Sequence, residues 1–187
     1  LWGAHQVLGQ PRRFAMTTAA LGPSHGPRAV ADAISALPTP PRVVRQPAAI
    51  ARETAHALAS GKIVGVLSGR SEYGPRALGH RSLLADPRTP ETVRRLNDEI
   101  KFREPFRPYA PMVTAAHANE VFVCPDERPF MLHVVAVRPH WRDRIPAVVH
   151  VDGLSRVQTV DAARDPFLHE IIEEFLSYMP DELRELR

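Results

Sequence analysis

Residues 69–82 run Gly69-Arg70-Ser71-Glu72-Tyr73-Gly74-Pro75-Arg76-Ala77-Leu78-Gly79-His80-Arg81-Ser82. The segment holds three arginines and three glycines and follows the apolar stretch Ile63–Leu67 after a single residue, Ser68. Glycine lets a backbone turn sharply and approach a ligand closely. Arginine supplies a planar fork of donors that suits phosphate and carboxylate. The combination predicts an anion-binding loop on an α/β scaffold, and a structural connection with solvated arginines is the alternative.

A second cationic segment lies about twenty residues further on, with the sequence Lys101-Phe102-Arg103-Glu104-Pro105-Phe106-Arg107-Pro108. The two prolines prevent a helix from continuing, so we expect the cations on a stiff loop. Among 24 Lys+Arg residues only Lys62 and Lys101 are lysines. A lysine kept in such a sequence indicates that a compact point charge is required there. The alternative is a surface cluster balanced by Asp98, Glu99 and Glu104.

Arg156 is a third cationic candidate, because it follows the tight-turn signal Asp152-Gly153 and shares a predicted strand face with Gln158. An edge-strand charge that prevents aggregation is the alternative for it. His150 and Asp152 alternate on the preceding predicted strand, but no third metal ligand accompanies them, so we expect a hydrogen-bonding role and no metal site.

Composition narrows the classes of protein. The chain has 187 residues, 44% of them hydrophobic, a net charge of +3 and one cysteine, Cys124. No apolar run approaches the roughly 20 residues of a membrane span, and the opening stretch has no signal-peptide pattern. A lone cysteine fits a reducing compartment. We therefore expect a cytoplasmic protein without a membrane partner, and Leu1 in place of methionine indicates a part or processed form of something longer.

The spacing of apolar residues and the positions of proline and glycine predict a mixed α/β sheet rather than a purely parallel one. An N-terminal segment with a linker near Pro38–Gln46 precedes it. The predicted helices are 28–37, one starting at Pro47 and ending at Gly61, one capped by Thr89 with Pro90 first, and one starting at Asp165-Pro166. The predicted strands are 63–67 (buried), 82–85, 112–113, 130–137, 147–151 and 155–160.

These motifs, taken in order, resemble the C-terminal domain of the NodU/CmcH carbamoyltransferase family over roughly Gln46 to Phe175. The resemblance rests on the segments already quoted, and on Ala85-Asp86-Pro87-Arg88, Leu96-Asn97, Phe106-Arg107-Pro108-Tyr109-Ala110-Pro111 and His150-Val151-Asp152-Gly153-x-x-Arg156-x-Gln158-x-Val160. The stretch around Leu21-Gly22-Pro23 resembles the tail of that family's preceding lobe.

The resemblance implies an α/β (α+β) fold, a YrdC-like twisted mixed sheet with flanking helices, over residues 46–187, with 1–45 as lobe tail and linker. It implies that ATP, arriving with Mg, and carbamoyl phosphate are bound and joined as carbamoyl-adenylate. The group would then pass to a hydroxyl or amine acceptor in a metal-holding N-terminal lobe of the same or a partner chain. The anion-gripping positions fall on Arg76, Lys101, Arg103 and Arg156, with Lys101 and Arg103 as the catalytic pair.

The sequence departs from the family pattern in two ways. The family continues after the last helix into Asn-Thr-Ser-Phe-Asn, where this chain has Ser177-Tyr178-Met179-Pro180-Asp181. The metal-holding lobe is also missing. A truncated, non-catalytic ligand-binding or regulatory relative is therefore the second hypothesis. A nucleic-acid module is the third, and the low aromatic content of 6% without a cationic stripe argues against it.

Overall fold

The computed structural model describes residues 3–11, 16–39, 41 and 47–179. Its α-helices are α1 (Pro27–Ser35), α2 (Pro47–Ala59), α3 (Glu91–Arg95), α4 (Ala118–Val121), α5 (Pro139–Arg142) and α6 (Pro166–Ser177). Its strands are β1 (Val64–Leu67), β2 (Arg81–Leu84), β3 (Met112–Thr114), β4 (Val135–Ala136), β5 (Leu154–Ser155) and β6 (Gln158–Val160). A π-helical turn, Leu96–Lys101, continues α3, and 3₁₀ or π turns occupy Pro146–Val148 and Gly3–Val7.

The predicted fold class, mixed helix and strand with flanking helices, is confirmed. The strands of the described residues form three two-stranded sheets instead of one continuous sheet. β1 pairs antiparallel with β2, β3 pairs parallel with β6, and β4 pairs antiparallel with β5. Helices α2 and α6 pack on each other beside the first sheet, where Ala51, Leu58 and Ile171 form a buried cluster.

The final helix begins as its sequence predicts. The Asp165 side chain accepts a hydrogen bond from the Leu168 backbone N–H, and Pro166 occupies the first turn, where its missing N–H is not needed. Leu168 and Ile171 are 1% exposed, so these two apolar residues lie on the buried face of the helix. The loop before β2 packs against this helix.

Several predicted elements are wrong. Residues 147–151 are not a strand: Pro146 starts a 3₁₀ turn and Val151 is fully exposed. The strand predicted over 130–137 shrinks to β4, and Met131 within the predicted range adopts a left-handed φ of 52°, which is incompatible with a strand at that position. The strand predicted at 63–67 is half-exposed rather than buried, with Leu67 63% exposed.

Two further predictions are corrected in detail. The helix predicted to be capped by Thr89 instead has Pro90 at its N-cap, without a side-chain cap. The strand predicted over 155–160 is two strands, because β5 pairs with β4 while β6 pairs with β3, and the chain must break at Arg156-Val157 to reach both partners. This break places Arg156 in the candidate site.

The predicted linker lies largely outside the described residues, as does the 45/46 boundary, which stays a prediction. The segment before α1 is hydrogen-bonded to the rest of the fold: Gly22 N–H donates to Ser71 O at 2.9 Å and Ser71 N–H donates to Pro23 O at 2.9 Å. Within the described part of the chain, no helix combines the length and the apolar content that crossing a membrane demands.

Candidate functional site

The loop between β1 and β2 is organised by a carboxylate. Oε1 of Glu72 accepts hydrogen bonds from the backbone N–H groups of Leu78 (2.8 Å), His80 (2.8 Å) and Arg81 (3.1 Å). Burial by itself would raise the pKa of Glu72, but these backbone donors hold that pKa below its usual range. The loop that carries Arg76 is therefore closed around one acceptor.

Gly79 seats the same loop on α6. Its φ is +110°, which side chains rarely tolerate, and a Cβ there would lie 2.4 Å from Cδ2 of Leu168. Only glycine allows this approach. The contact fixes the height of the loop above the helix.

The three arginines of this loop have different roles. Arg81 donates from Nη1 to Ser68 O at 2.9 Å, and Arg70 donates from Nη2 to Leu21 O at 3.1 Å, so both hold backbone carbonyls. Arg76 has its Nε buried without an acceptor. Of the three, Arg76 alone lines the largest of the described cavities.

The second cationic segment leaves the end of the π-helical turn. Phe102 adopts a left-handed φ of 45°, a conformation uncommon for a bulky residue and frequent at functional sites. Arg103 Nε donates to Oδ1 of Asn97 at 3.0 Å, and the guanidinium carbon lies 4.4 Å from the ring centroid of Tyr109. Nζ of Lys101 lies 5.8 Å from the same ring.

The structure brings all four predicted site residues together. Arg76, Lys101, Arg103 and Arg156 line one cavity of about 410 Å³, with Arg107 as a fifth cation. No acidic residue is among the described residues that line it. The other lining residues are Pro75, Ala77, Ser82, Leu83, Pro108, Tyr109, Ala110, Met112 and Met131. We call this space the cationic cavity.

The charges in the cationic cavity repel one another. Burial, followed by the charges of Arg103 and Arg107, lowers the pKa of Lys101. Burial, followed by the charge of Arg76, lowers the pKa of Arg156. Arg156 also has its Nε buried without an acceptor. Buried donors are nearly always paired in native structures, so unpaired guanidinium N–H groups facing like charges indicate an anionic ligand.

The neighbouring carboxylates do not balance the cavity. Asp98 pairs with Arg94 (3.6 Å) and Glu99 pairs with Arg95 (3.9 Å), both on the helix surface. Glu104 lies 4.0 Å from Arg107 at an exposed position. Within the described residues, Arg76, Lys101, Arg103 and Arg156 form no ion pair. This geometry argues against the alternative of a balanced surface cluster.

The remaining candidates play structural roles. His150 and Asp152 lie in a turn and not on a strand: His150 N–H donates to Leu154 O at 2.9 Å, and Oδ1 of Asp152 accepts from Leu154 N–H at 3.0 Å. Cys124 is buried, and burial raises the pKa of its thiol, which disfavours a nucleophilic role. The described residues bring together no group of three or more His, Cys, Asp or Glu that could hold a metal ion.

Three polar residues of the site did not emerge from the sequence as candidates. Tyr109 lines the cationic cavity, and Asn97 lies behind it with 1% exposure. Ser82 lines the cavity and its Oγ accepts from Gly79 N–H at 2.8 Å. Asn97 had a detectable signal, because it follows Val93 by one helical turn and interrupts an otherwise apolar face.

Comparison with known proteins identifies related sequences. The model of the carbamoyltransferase C-terminus family matches residues 55–180. The chain is 46% identical to nodulation protein NolNO of Sinorhizobium fredii over 129 residues, covering 67% of this chain and 19% of that protein. It is 44% identical to nodulation protein NolO of Bradyrhizobium diazoefficiens over 129 residues, covering 67% and 24%. It is 46% identical to nodulation protein U of Rhizobium tropici over 123 residues, covering 66% and 21%. The chain thus spans about a fifth to a quarter of the length of these curated relatives.

Proposed function

This chain belongs to the carbamoyltransferase family, of which it carries the C-terminal domain, and we propose that its cationic cavity binds ATP and carbamoyl phosphate and forms carbamoyl-adenylate. The observation that carries the proposal is the convergence of Arg76, Lys101, Arg103 and Arg156 on one cavity that no carboxylate of the described residues lines. Both substrates are polyanions, and arginine and lysine are the side chains that bind phosphate.

The proposed reaction has two steps. Water releases carbamate and inorganic phosphate from carbamoyl phosphate as the bond between carbamoyl oxygen and phosphorus breaks. A carbamate oxygen then bonds to the α-phosphorus of ATP while the bond from that phosphorus to the bridging oxygen breaks, and pyrophosphate leaves. Positioning and charge stabilisation dominate phosphoryl chemistry of this kind, so fixed cations can supply most of the catalysis.

The four cations would contact different groups of the two substrates. Lys101, a compact charge at the helix end, would contact the carbamate or the α-phosphate, and Arg103 would hold the same group with its planar fork. Arg76 and Arg156, whose charges interact with each other, would hold the phosphates. Mg would enter with ATP, held by phosphates and water, since none of the described residues that line the cavity is a carboxylate.

Calorimetric titration of the chain with ATP and with carbamoyl phosphate tests the proposal. We expect binding by the wild type and weaker binding by Lys101→Ala, by about 1.5–3 kcal/mol for the lost hydrogen bond to a charged group. Lys62→Ala is the matched control, because Lys62 is exposed, is the only other lysine and does not line the cavity. A folded wild type that binds neither ligand, or equal behaviour of the two variants, would contradict the proposal.

A second candidate is a binding module without turnover. It is favoured by the lining of the cationic cavity, which among the described residues includes neither a histidine nor a carboxylate to act as general base. Exchange of labelled pyrophosphate into ATP, in the presence of carbamoyl phosphate, separates the candidates. Exchange by the chain supports catalysis, and tight binding without exchange supports the module.

We further propose that transfer to a hydroxyl or amine acceptor takes place in a metal-holding N-terminal lobe, in the same or a partner chain and in the cytoplasm, as part of small-molecule biosynthesis. The support is the family membership together with the length of the relatives, of which this chain covers 19–24%. The described residues bring together no cluster of metal ligands. Nucleic acid is not proposed as a partner.

A further inference from the structure

Asn97 fixes the Lys101–Tyr109 loop at both of its ends. Its backbone carbonyl accepts hydrogen bonds from the N–H groups of Phe102 and Arg103, which closes the π-helical turn. Its side-chain Oδ1 accepts from Arg103 Nε at 3.0 Å and from the Tyr109 hydroxyl at 2.8 Å. Asn97 is 1% exposed and does not line the cationic cavity, so these contacts act on the residues that do.

The orientation of the amide follows from its partners. Two donors converge on one atom, so that atom is the oxygen, because the amide nitrogen would face both donors without a lone pair to offer. Its own Nδ2 is buried without a partner. An unpaired buried N–H is unfavourable, so the structure retains asparagine here at some expense of stability.

Arg103 is therefore held through its Nε and through the planar face of its guanidinium group. Nε is engaged by Asn97, and the guanidinium stacks 4.4 Å from the Tyr109 ring centroid. In the described part of the chain no carboxylate forms an ion pair with Arg103, and its hydrogen bond to Asn97 uses Nε and not the two terminal Nη nitrogens. These two nitrogens form the edge of the fork that suits a phosphate.

Arg88 shows the contrasting arrangement in the same domain. Its guanidinium is bound by both oxygens of the buried Asp86, with Nε at 3.0 and 2.8 Å, and it also donates to Ala59 O. A carboxylate therefore fixes an arginine well but neutralises it. The carbonyl oxygen of Asn97 fixes Arg103 and leaves its charge intact.

We propose that Asn97 is a positioning residue that holds Arg103 through a neutral acceptor, so that its terminal nitrogens present their full positive charge to a polyphosphate ligand. The proposal rests on the function proposed for the cationic cavity. It explains why an uncharged residue with an unpaired Nδ2 occupies a buried position beside an arginine.

The test separates orientation from charge. Asn97→Asp keeps both acceptor contacts in the same shape and adds one negative charge beside Arg103. We expect its affinity for inorganic pyrophosphate, measured by calorimetry on the full chain, to fall roughly ten- to a hundredfold. The Arg103 Nε–H resonance, assigned by its loss in Arg103→Lys, should persist, because the hydrogen bond is retained.

The matched control is Asn119→Asp. Oδ1 of Asn119 accepts from Nη2 of Arg138 at 3.2 Å, and neither residue lines the cationic cavity. This variant adds the same charge beside another arginine and should change pyrophosphate affinity less than twofold. If Asn97→Asp does not fold, Tyr109→Phe removes only the second donor. It should weaken binding a few-fold and speed exchange of the Arg103 Nε–H.

The outcomes are distinguishable. Wild-type affinity in a folded Asn97→Asp variant, or in Tyr109→Phe with unchanged Nε–H exchange, would overturn the inference and leave the proposed function standing. A wild type that binds neither pyrophosphate nor ATP would overturn the proposed function and this inference together. Weak binding with a persistent Arg103 resonance supports the inference, because a purely structural asparagine would not separate the two.

Discussion

Replacing Arg156 with methionine should stabilise the empty protein and weaken ligand binding at once. Nε of Arg156 is buried without an acceptor, and burial together with the charge of Arg76 lowers its pKa. Methionine has a similar length and no polar atom that requires a partner, so it removes both the unpaired donor and the repulsion.

The magnitude follows from the environment of that nitrogen. A buried donor left unsatisfied costs about 1–3 kcal/mol, and because Arg156 is only partly buried we expect the lower part, about 1–2 kcal/mol. For a chain of this size that corresponds to a rise in Tm of roughly 2–8 °C. A hydrogen bond to a charged ligand group contributes about 1.5–3 kcal/mol, so the Kd for pyrophosphate should rise about ten- to a hundredfold.

Thermal unfolding with and without pyrophosphate measures both effects in one experiment, since a ligand that binds only the folded state raises Tm. Arg144→Met is the control: Arg144 is exposed, lies 5.3 Å from the Trp141 ring and is outside the cationic cavity. It should leave the ligand-induced shift unchanged and lower Tm slightly. A lower Tm for ligand-free Arg156→Met, with the wild-type shift on adding pyrophosphate, would refute the reasoning.

Three further predictions concern the loops that build the site. Gly79→Ala should destabilise the chain by about 3 kcal/mol in urea unfolding, because its Cβ would meet Leu168, whereas Gly74→Ala, with φ +114° and open space, should cost only about 1–2 kcal/mol of backbone strain. Glu72→Ala should cost about 1.5–3 kcal/mol at pH 7. Because the folded pKa of Glu72 lies below 4.5, that difference should be full above pH 4.5 and vanish as the pH falls through the folded value; equal losses at pH 7 and pH 3 would contradict this. Pyrophosphate affinity should decline with rising pH at values below the ordinary lysine pKa of 10.5, because the pKa of Lys101 is lowered, and Lys101→Arg should abolish the decline.

The residues of the cationic cavity could be predicted from the sequence because they stand in chemically distinctive motifs. Arg76 lies in a glycine-rich loop, and Lys101 is one of two lysines in an arginine-rich chain. The order of these motifs along the chain resembles a family, and that resemblance, more than spacing, grouped Arg156 with them. Caps and breakers likewise placed the final helix at Asp165-Pro166.

The other features of the fold and the site depend on contacts between residues that are distant in the sequence, and the sequence alone does not show these contacts. Residues 155–160 have the sequence pattern of one strand. The strand is nevertheless interrupted at Arg156, because β5 pairs with β4 whereas β6 pairs with β3. Val151 is apolar and β-branched but fully exposed in a turn. The role of Asn97 required knowing that Tyr109, twelve residues later, folds back onto it.

The acidic residues explain how a cavity of unopposed cations can persist in a stable fold. The carboxylate in the Arg76 loop, Glu72, is occupied by three backbone N–H groups. Asp98 and Glu99 are turned to the outer face of the helix by Arg94 and Arg95. Within the described residues these three acids therefore have other partners, and the carboxylate of Glu104 meets only the fifth cation, Arg107, at an exposed position 4.0 Å away. The scaffold holds the positive charge in place before any ligand arrives, and this preorganisation is what the proposed phosphoryl chemistry would require.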